Sequence, residues 1–301
     1  MTVTLNSAAV AVAPPDAAKE VGILRTSWRA VLRSPSGRFG LILLGLMVLI
    51  AIVGPFISPH SQAEVVGRPF EGPSATAWLG TESLGRDVLS RYLNGGWLLI
   101  ATALLGTALA YLIGIPIALL AAYRRGRPVD QGTRAISTIF YAIPPTILAL
   151  VLISAFGRGF PIIVAAIVLM QLPPIIHIFR GFALGLVANE YVEAAVARGE
   201  STASILVREI APNLRGLFAA DVGLRFCWSV LFLAAISFLG FGRTPPDSDW
   251  GLMISENRYG ITTQPLSVIV PALSIALLTI GLTLVAESVA RAVGREGMPR
   301  A

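Results

Sequence analysis

The chain has 301 residues, of which 55% are hydrophobic and only 13% charged, and its mean hydropathy is +0.75. An ordinary soluble domain is roughly 25% charged, so this composition points to one membrane domain and leaves no room for a large soluble one. The net charge of +6 does not imply a nucleic-acid partner, because the basic residues, all arginine except Lys19, sit at the ends of apolar runs and form no stripe that tracks phosphates.

Residues 1–20 are Ala/Val-rich, are interrupted by Pro14-Pro15 and lack a basic start, which predicts a disordered tail and argues against a cleaved signal peptide. Over residues 21–38, Leu24, Trp28, Val31 and Leu32 share one helical face and Arg25, Arg29 and Arg33 another, the pattern of an amphipathic helix lying among lipid headgroups. The first span is predicted over Phe39–Ile57, followed by a loop over residues 58–96. Five further spans fall near Trp97–Tyr123, Ala135–Phe156, Pro161–Phe179, Leu217–Phe241 and Ser267–Glu287, a core over residues 97–291, with a short tail over 292–301. The fold class is therefore an all-α membrane protein with six transmembrane helices. The lone Cys227 lies inside an apolar run, cannot form an internal disulfide and reads as packing.

Positive residues are retained on the cytoplasmic side of short loops. With both termini cytoplasmic, Arg124, Arg125, Arg127, Arg134, Arg180, Arg198, Arg208 and Arg215 lie inside, and only Arg68, Arg86, Arg91, Arg158, Arg243 and Arg258 lie outside. This N-in/C-in arrangement makes the segment between spans four and five cytoplasmic.

That segment, residues 190–213, is too polar to cross. Its Ala-rich start, led by Glu190 and Glu193, suits a short helix whose dipole the acids complement. Gly199 can close this helix in a left-handed conformation. Ser201–Ile210 reads as a second helix, which Pro212 is expected to stop. Small Ala194 and Ala195, expected on the surface, would let a partner's backbone come close. A docking element and a solvated connection both fit, and the length favours docking.

Glu193-Ala194-Ala195, Gly199, Ile210 and Pro212 at these spacings resemble the signature loop of ABC-importer permease subunits. In that family the loop forms a coupling helix docked on the ATPase. Residues 79–91, LGTESLGRDVLSR, resemble the outer-face motif of the C-type permease subunit of dipeptide/oligopeptide/nickel importers. Residues 237–242 (SFLGFG), Pro245-Pro246 and residues 248–251 (SDWG) resemble the end of that subunit's fifth span and the loop after it. The likeness covers about residues 39–291. It departs at Leu233, where the subfamily often has Glu, and at His177, where it often has Arg.

The resemblance implies that Glu190, Tyr191, Glu193, Ala194, Ala195, Gly199 and Pro212 form the ATPase-coupling contact, with Arg208 supporting it. It implies a bacterial inner-membrane complex with a second permease subunit, two ATP-binding subunits and an extracytoplasmic binding protein. ATP and Mg would belong to the partners, with no cofactor or metal in this chain. Di- or oligopeptides are the implied cargo, with nickel or another small solute as the alternative.

Walker A needs Gly-x-x-x-x-Gly-Lys-Ser/Thr, and Lys19 is followed by Glu20, so this chain cannot carry that ATP site. His60 and His177, the only histidines, have no partners at metal spacing, and no nucleophile-elbow motif is present, so catalysis is not expected. An ion-coupled secondary transporter would use Asp221 as its titrating group, but no inverted repeat with paired broken helices is visible. Asp221 and Arg225, four apart in the fifth span, either line a pathway or form a structural ion pair. Pro144-Pro145 and Pro173-Pro174 are expected to bend spans three and four. Gly106, Ala110 and Gly114 recur every four residues, as close helix contact requires.

Overall fold

The computed structural model describes residues 28–243 and 246–296, which form an all-α membrane protein. Among the described residues no strand occurs, only isolated bridges between Val65 and Arg86 and between Thr81 and Asp87. Among the described residues five helices are long and apolar enough to cross a membrane, and a sixth span arises if one bent pair is counted together.

Helix α1, residues 28–33, is the described part of the expected interfacial helix; Leu24 and Arg25 lie outside the described residues. Val31 is fully buried while Trp28 and Leu32 are exposed, so the three do not share one outward face. The cause is the turn at Ser34, whose hydroxyl accepts from Gly37 N–H at 2.9 Å and starts α2, Pro35–Ile57, directly beneath α1. Gly37 has no side chain to hold the Val31 carbonyl away.

Helix α3, Val88–Tyr123, begins nine residues before the expected Trp97. Asp87 caps it by accepting from Ser90 N–H at 2.9 Å, and at 36 residues it is longer than the about 30 Å hydrocarbon core requires.

Where the third span is expected, the chain forms two helices, α4 (Pro128–Ala142) and α5 (Pro145–Phe156), bent by 91°, the geometry of a broken span or of a re-entrant loop. Ile143 is forced to extended geometry by the proline after it, and neither Pro144 nor Pro145 can donate across the gap. Helix α6, Phe160–Val187, stays continuous through Pro173-Pro174. The difference lies in packing: Ile167 and Ile175, on either side of those prolines, seat against Gly106 and Gly114 of α3, where any Cβ would come within 3 Å. Ala110 between them is fully buried, so the small-residue repeat is a helix-packing seam.

Helix α7, Glu190–Ala197, is followed by α8, which runs from Thr202 to Phe238. Helix α9, Trp250–Asn257, and α10, Leu266–Glu296, are the last helices among the described residues. Helix α10 packs on α2 through Gly40 and Gly281 and on α8 where Gly223 meets Ala286.

Candidate functional site

Helix α7 is short and half-embedded. Asn189 Nδ2 donates back to the carbonyls of Gly185 and Leu186 at 3.1 Å, so its side chain does not cap α7. Glu190 and Glu193 supply the negative charge at that positive helix end. Glu190, Glu193, Ala194, Val196 and Arg198 are exposed and Tyr191 is half-buried, whereas Val192 and Ala195 are buried. Ala195 therefore offers no surface to a partner: three residues after Val192, it shares the inward face and joins the core with Ile205, Ile210 and Leu214. Ala194 alone of the pair faces outward.

Gly199 has φ +76°, the left-handed geometry expected of it, with open space where a side chain would stand. Around it Arg198 Nη2 meets Glu200 Oε1 at 2.7 Å, and Ser204 Oγ donates to Glu200 Oε2 at 3.0 Å. The Arg198 and Ser204 hydrogen bonds hold the Glu200 carboxyl below its ordinary pKa. Ser201 Oγ caps the next turn by accepting from Ser204 N–H at 3.2 Å.

Pro212 does not stop the second helix. Thr202–Ser204 leads into a π turn over Ile205–Ile210 and a 3-10 turn over Ala211–Leu214, and the chain passes unbroken into Arg215–Phe238. Ala211 N–H reaches back five residues to the Leu206 carbonyl. In a regular helix the Pro212 ring would meet the Arg208 carbonyl, and the widened turn relieves that contact. Arg208 itself is exposed on this turn, near enough for its charge to favour ionised Glu200. Beside α7 opens a cavity of about 500 Å³ lined by Tyr123, Arg124, Arg127, Val187, Glu193 and Thr202.

Asp221 and Arg225 are paired, with Arg225 Nε 3.2 Å from Asp221 Oδ2. The same oxygen accepts from Tyr111 of α3 at 2.7 Å. One turn on, Gln171 Nε2 donates to the Arg225 carbonyl at 2.7 Å and to Ser229 Oγ at 2.9 Å, and Thr107 Oγ1 donates to Ser229 Oγ at 2.7 Å. Asp221 thus links α3 to α8, and the Gln171, Thr107 and Ser229 contacts add α6 to the same polar layer. Sequence reading missed Tyr111, Thr107 and Gln171, which are polar residues on apolar helices and were findable as such.

Asp130 was missed as well. Its carboxylate accepts from Arg180 Nε at 2.6 Å and from Gly126 N–H at 3.0 Å, clasping the turn after α3 to α6.

Residues 79–91 and 248–251, the two segments of the C-type resemblance, meet one another. Glu82 takes Arg86 Nε at 2.6 Å and Arg91 Nη1 at 3.3 Å, and Arg91 Nη1 also meets Glu256 of α9 at 2.9 Å. Burial alone would raise the Glu82 pKa, but Arg86 and Arg91 outweigh it and hold it below the ordinary value. For Glu256 burial prevails over the two arginines and its pKa is raised. Trp250 stacks on Tyr92, donates to its carbonyl at 3.0 Å and lies flat against Gly96. Ser248 Oγ donates to the Arg91 carbonyl at 2.8 Å or to Gln62 Oε1 at 2.9 Å.

Residues 114–296 match the model of the binding-protein-dependent transport system inner membrane component family, a stretch that includes the whole α7–α8 region. Residues 22–70 match the N-terminal TM domain of oligopeptide transport permease C. The chain is 30% identical over 265 residues to the glutathione transport system permease protein of Pectobacterium atrosepticum, covering 87% of this chain and 88% of the relative. It is 29% identical over 275 residues to the dipeptide transport system permease protein of Alkalihalophilus pseudofirmus, covering 91% and 90%. A glutathione transport system permease protein of Escherichia coli (strain UTI89 / UPEC) is 28% identical over 262 residues, 86% of each chain. With apolar helices that can span a bilayer and a family match over more than half its length, this chain belongs to the inner membrane components of binding-protein-dependent transport systems.

Proposed function

We propose that this chain is one of two permease subunits of an ATP-driven importer for di- or oligopeptides. It would sit with both termini in the cytoplasm, receive cargo from an extracytoplasmic binding protein and be driven by two ATP-binding subunits. The relatives named for dipeptide and glutathione transport support that cargo class. The reading rests chiefly on α7, whose Glu190, Glu193 and Ala194 face outward while Val192 and Ala195 bed against Ile205, Ile210 and Leu214. A load on the outer face of α7 passes directly into the start of α8. Tyr191, Arg208 and the Gly199 turn complete the contact, and Pro212 sits where that load enters the span. ATP-driven closure of the partners would rock the spans between two packings.

The test is reconstitution of the complete importer with Gly199→Trp and Glu193→Lys. Peptide uptake and binding-protein-stimulated ATP hydrolysis should both fall to background, with the subunits still co-purifying. Uptake that survives both substitutions would overturn the assignment of α7 as the coupling element.

A further inference from the structure

Pro145 and the pair Pro173-Pro174 line one cavity of about 450 Å³ beside the break between α4 and α5. A proline withdraws the donor that the carbonyl four residues earlier would use. The carbonyls so affected include Tyr141, Leu169 and Met170, and all three residues line this cavity. Non-helical or unpaired backbone at membrane depth is tolerated where it faces a cavity rather than lipid.

Arg225 is the one charged residue lining that cavity among the described residues. It lies ten residues beyond Arg215, about 15 Å along the helix, or half of a hydrocarbon core of about 30 Å. A cation is costly at that depth and marks a polar pathway when it is kept. Its pair with Asp221 is made through Nε, the nitrogen nearest the helix, and Asp221 is already held at shorter range by Tyr111. Tyr111 also takes a hydrogen bond from Arg225, and the guanidinium's remaining N–H donors are left for a second carboxylate, the group whose geometry they match. Gln171 fixes the backbone from which the arginine projects by donating to the Arg225 carbonyl.

We propose that this cavity is a transit site for short peptides in which Arg225 receives the C-terminal carboxylate, while the carbonyls released by the prolines accept peptide N–H groups. The inference rests on the peptide-importer reading above and adds to it a recognised group and a residue. Tyr141 and Trp228, both exposed and both lining the cavity, supply sequence-tolerant apolar surface for the cargo side chains.

The test uses the complete importer in proteoliposomes and a panel of short peptides, each as free acid and as C-terminal amide. Uptake is normalised to the affinity of the binding protein for each form. The unsubstituted importer should favour the acid by about tenfold or more, the range expected for a charge-assisted pair. Arg225→Met should abolish that preference. Arg225→Lys, which keeps a cation beside Asp221 and so protects assembly, should lower the preference without abolishing it. An acid-to-amide ratio unchanged in either variant, or an Arg225→Met loss that falls equally on both forms, overturns the proposal. Failure of the unsubstituted importer to take up any peptide would instead remove the functional reading on which it rests.

Discussion

The Tyr111 hydroxyl donates to Asp221 Oδ2 at 2.7 Å, a closer contact than the 3.2 Å from Arg225 on Asp221's own helix. The pairing crosses from α3 to α8, so it fixes the two helices to each other. Tyr111→Phe should lower the stability of the purified importer by about 1.5–3 kcal/mol, the range for a hydrogen bond to a charged group. Asp221→Asn keeps an acceptor for the hydroxyl but leaves Arg225 without its counter-charge, and should cost more. Thermal unfolding of both variants checks the order, and a reversed order would mean that the Tyr111 bond dominates.

The α3–α6 seam should be intolerant of a single methyl group. A Cβ at Gly106 would stand 2.6 Å from Ile167 Cγ2, and one at Gly114 2.8 Å from Ile175 Cγ2. Gly106→Ala and Gly114→Ala should each cost about 1–3 kcal/mol through overpacking. Gly45→Ala, in a helix position with nothing within 4 Å, is the control and should be neutral or slightly stabilising. Denaturation in detergent compares the three.

The Glu82–Arg86–Arg91–Glu256 cluster should be sensitive to acid with a definite sign. The Glu82 pKa is lowered in the fold, so its contribution is present above the unfolded glutamate value of about 4.3 and is lost as pH falls through the folded value. Glu256 is raised, so its contribution runs the other way and is lost as pH rises through its folded value. At neutral pH Glu82→Gln, which leaves two buried guanidinium groups with only Glu256 between them, should therefore cost about 3–5 kcal/mol and Glu256→Gln distinctly less. Hydrogen exchange over residues 58–87 reports both; equal exchange in the two variants would sink the assignment.

Asp130→Asn should free the turn between α3 and α4. The neutral amide weakens the hold on Arg180, and about 1.5–3 kcal/mol of local stability should go with it. Limited proteolysis near Arg124–Arg127 should accelerate, with the rest of the protein protected as before.

The apolar helices were legible because crossing a bilayer demands a long run of one kind of residue, and the Gly106–Ala110–Gly114 seam because its period is that of a helix. What escaped was polar and distant in sequence. Val88 begins α3 although Arg91 follows, since Arg91 is neutralised by Glu82 and by Glu256, which the chain reaches only after five more helices. Arg180 and Asp130 are likewise separated by a whole span. Ala195 was misplaced because small size suits a docking surface and a tight core equally, and only the partner face of α8 decides between them. Pro212 misled because the rule that proline ends a helix assumes a regular turn before it.

The irregular passage from Ile205 to Leu214 has a geometric consequence of its own. A π turn winds more slowly than an α-helix and a 3-10 turn faster, so the two stretches, placed back to back, give opposite errors of rotation that offset each other. The rod that emerges at Arg215 has nearly recovered the phase it had at Thr202, which lets Ile205 and Asp221 each face their own neighbours. Removing one residue from the slow stretch would let it close as a regular turn over nearly the same total rotation, so the faces beyond it would hold while the Pro212 ring lost the room that the wide turn gives it.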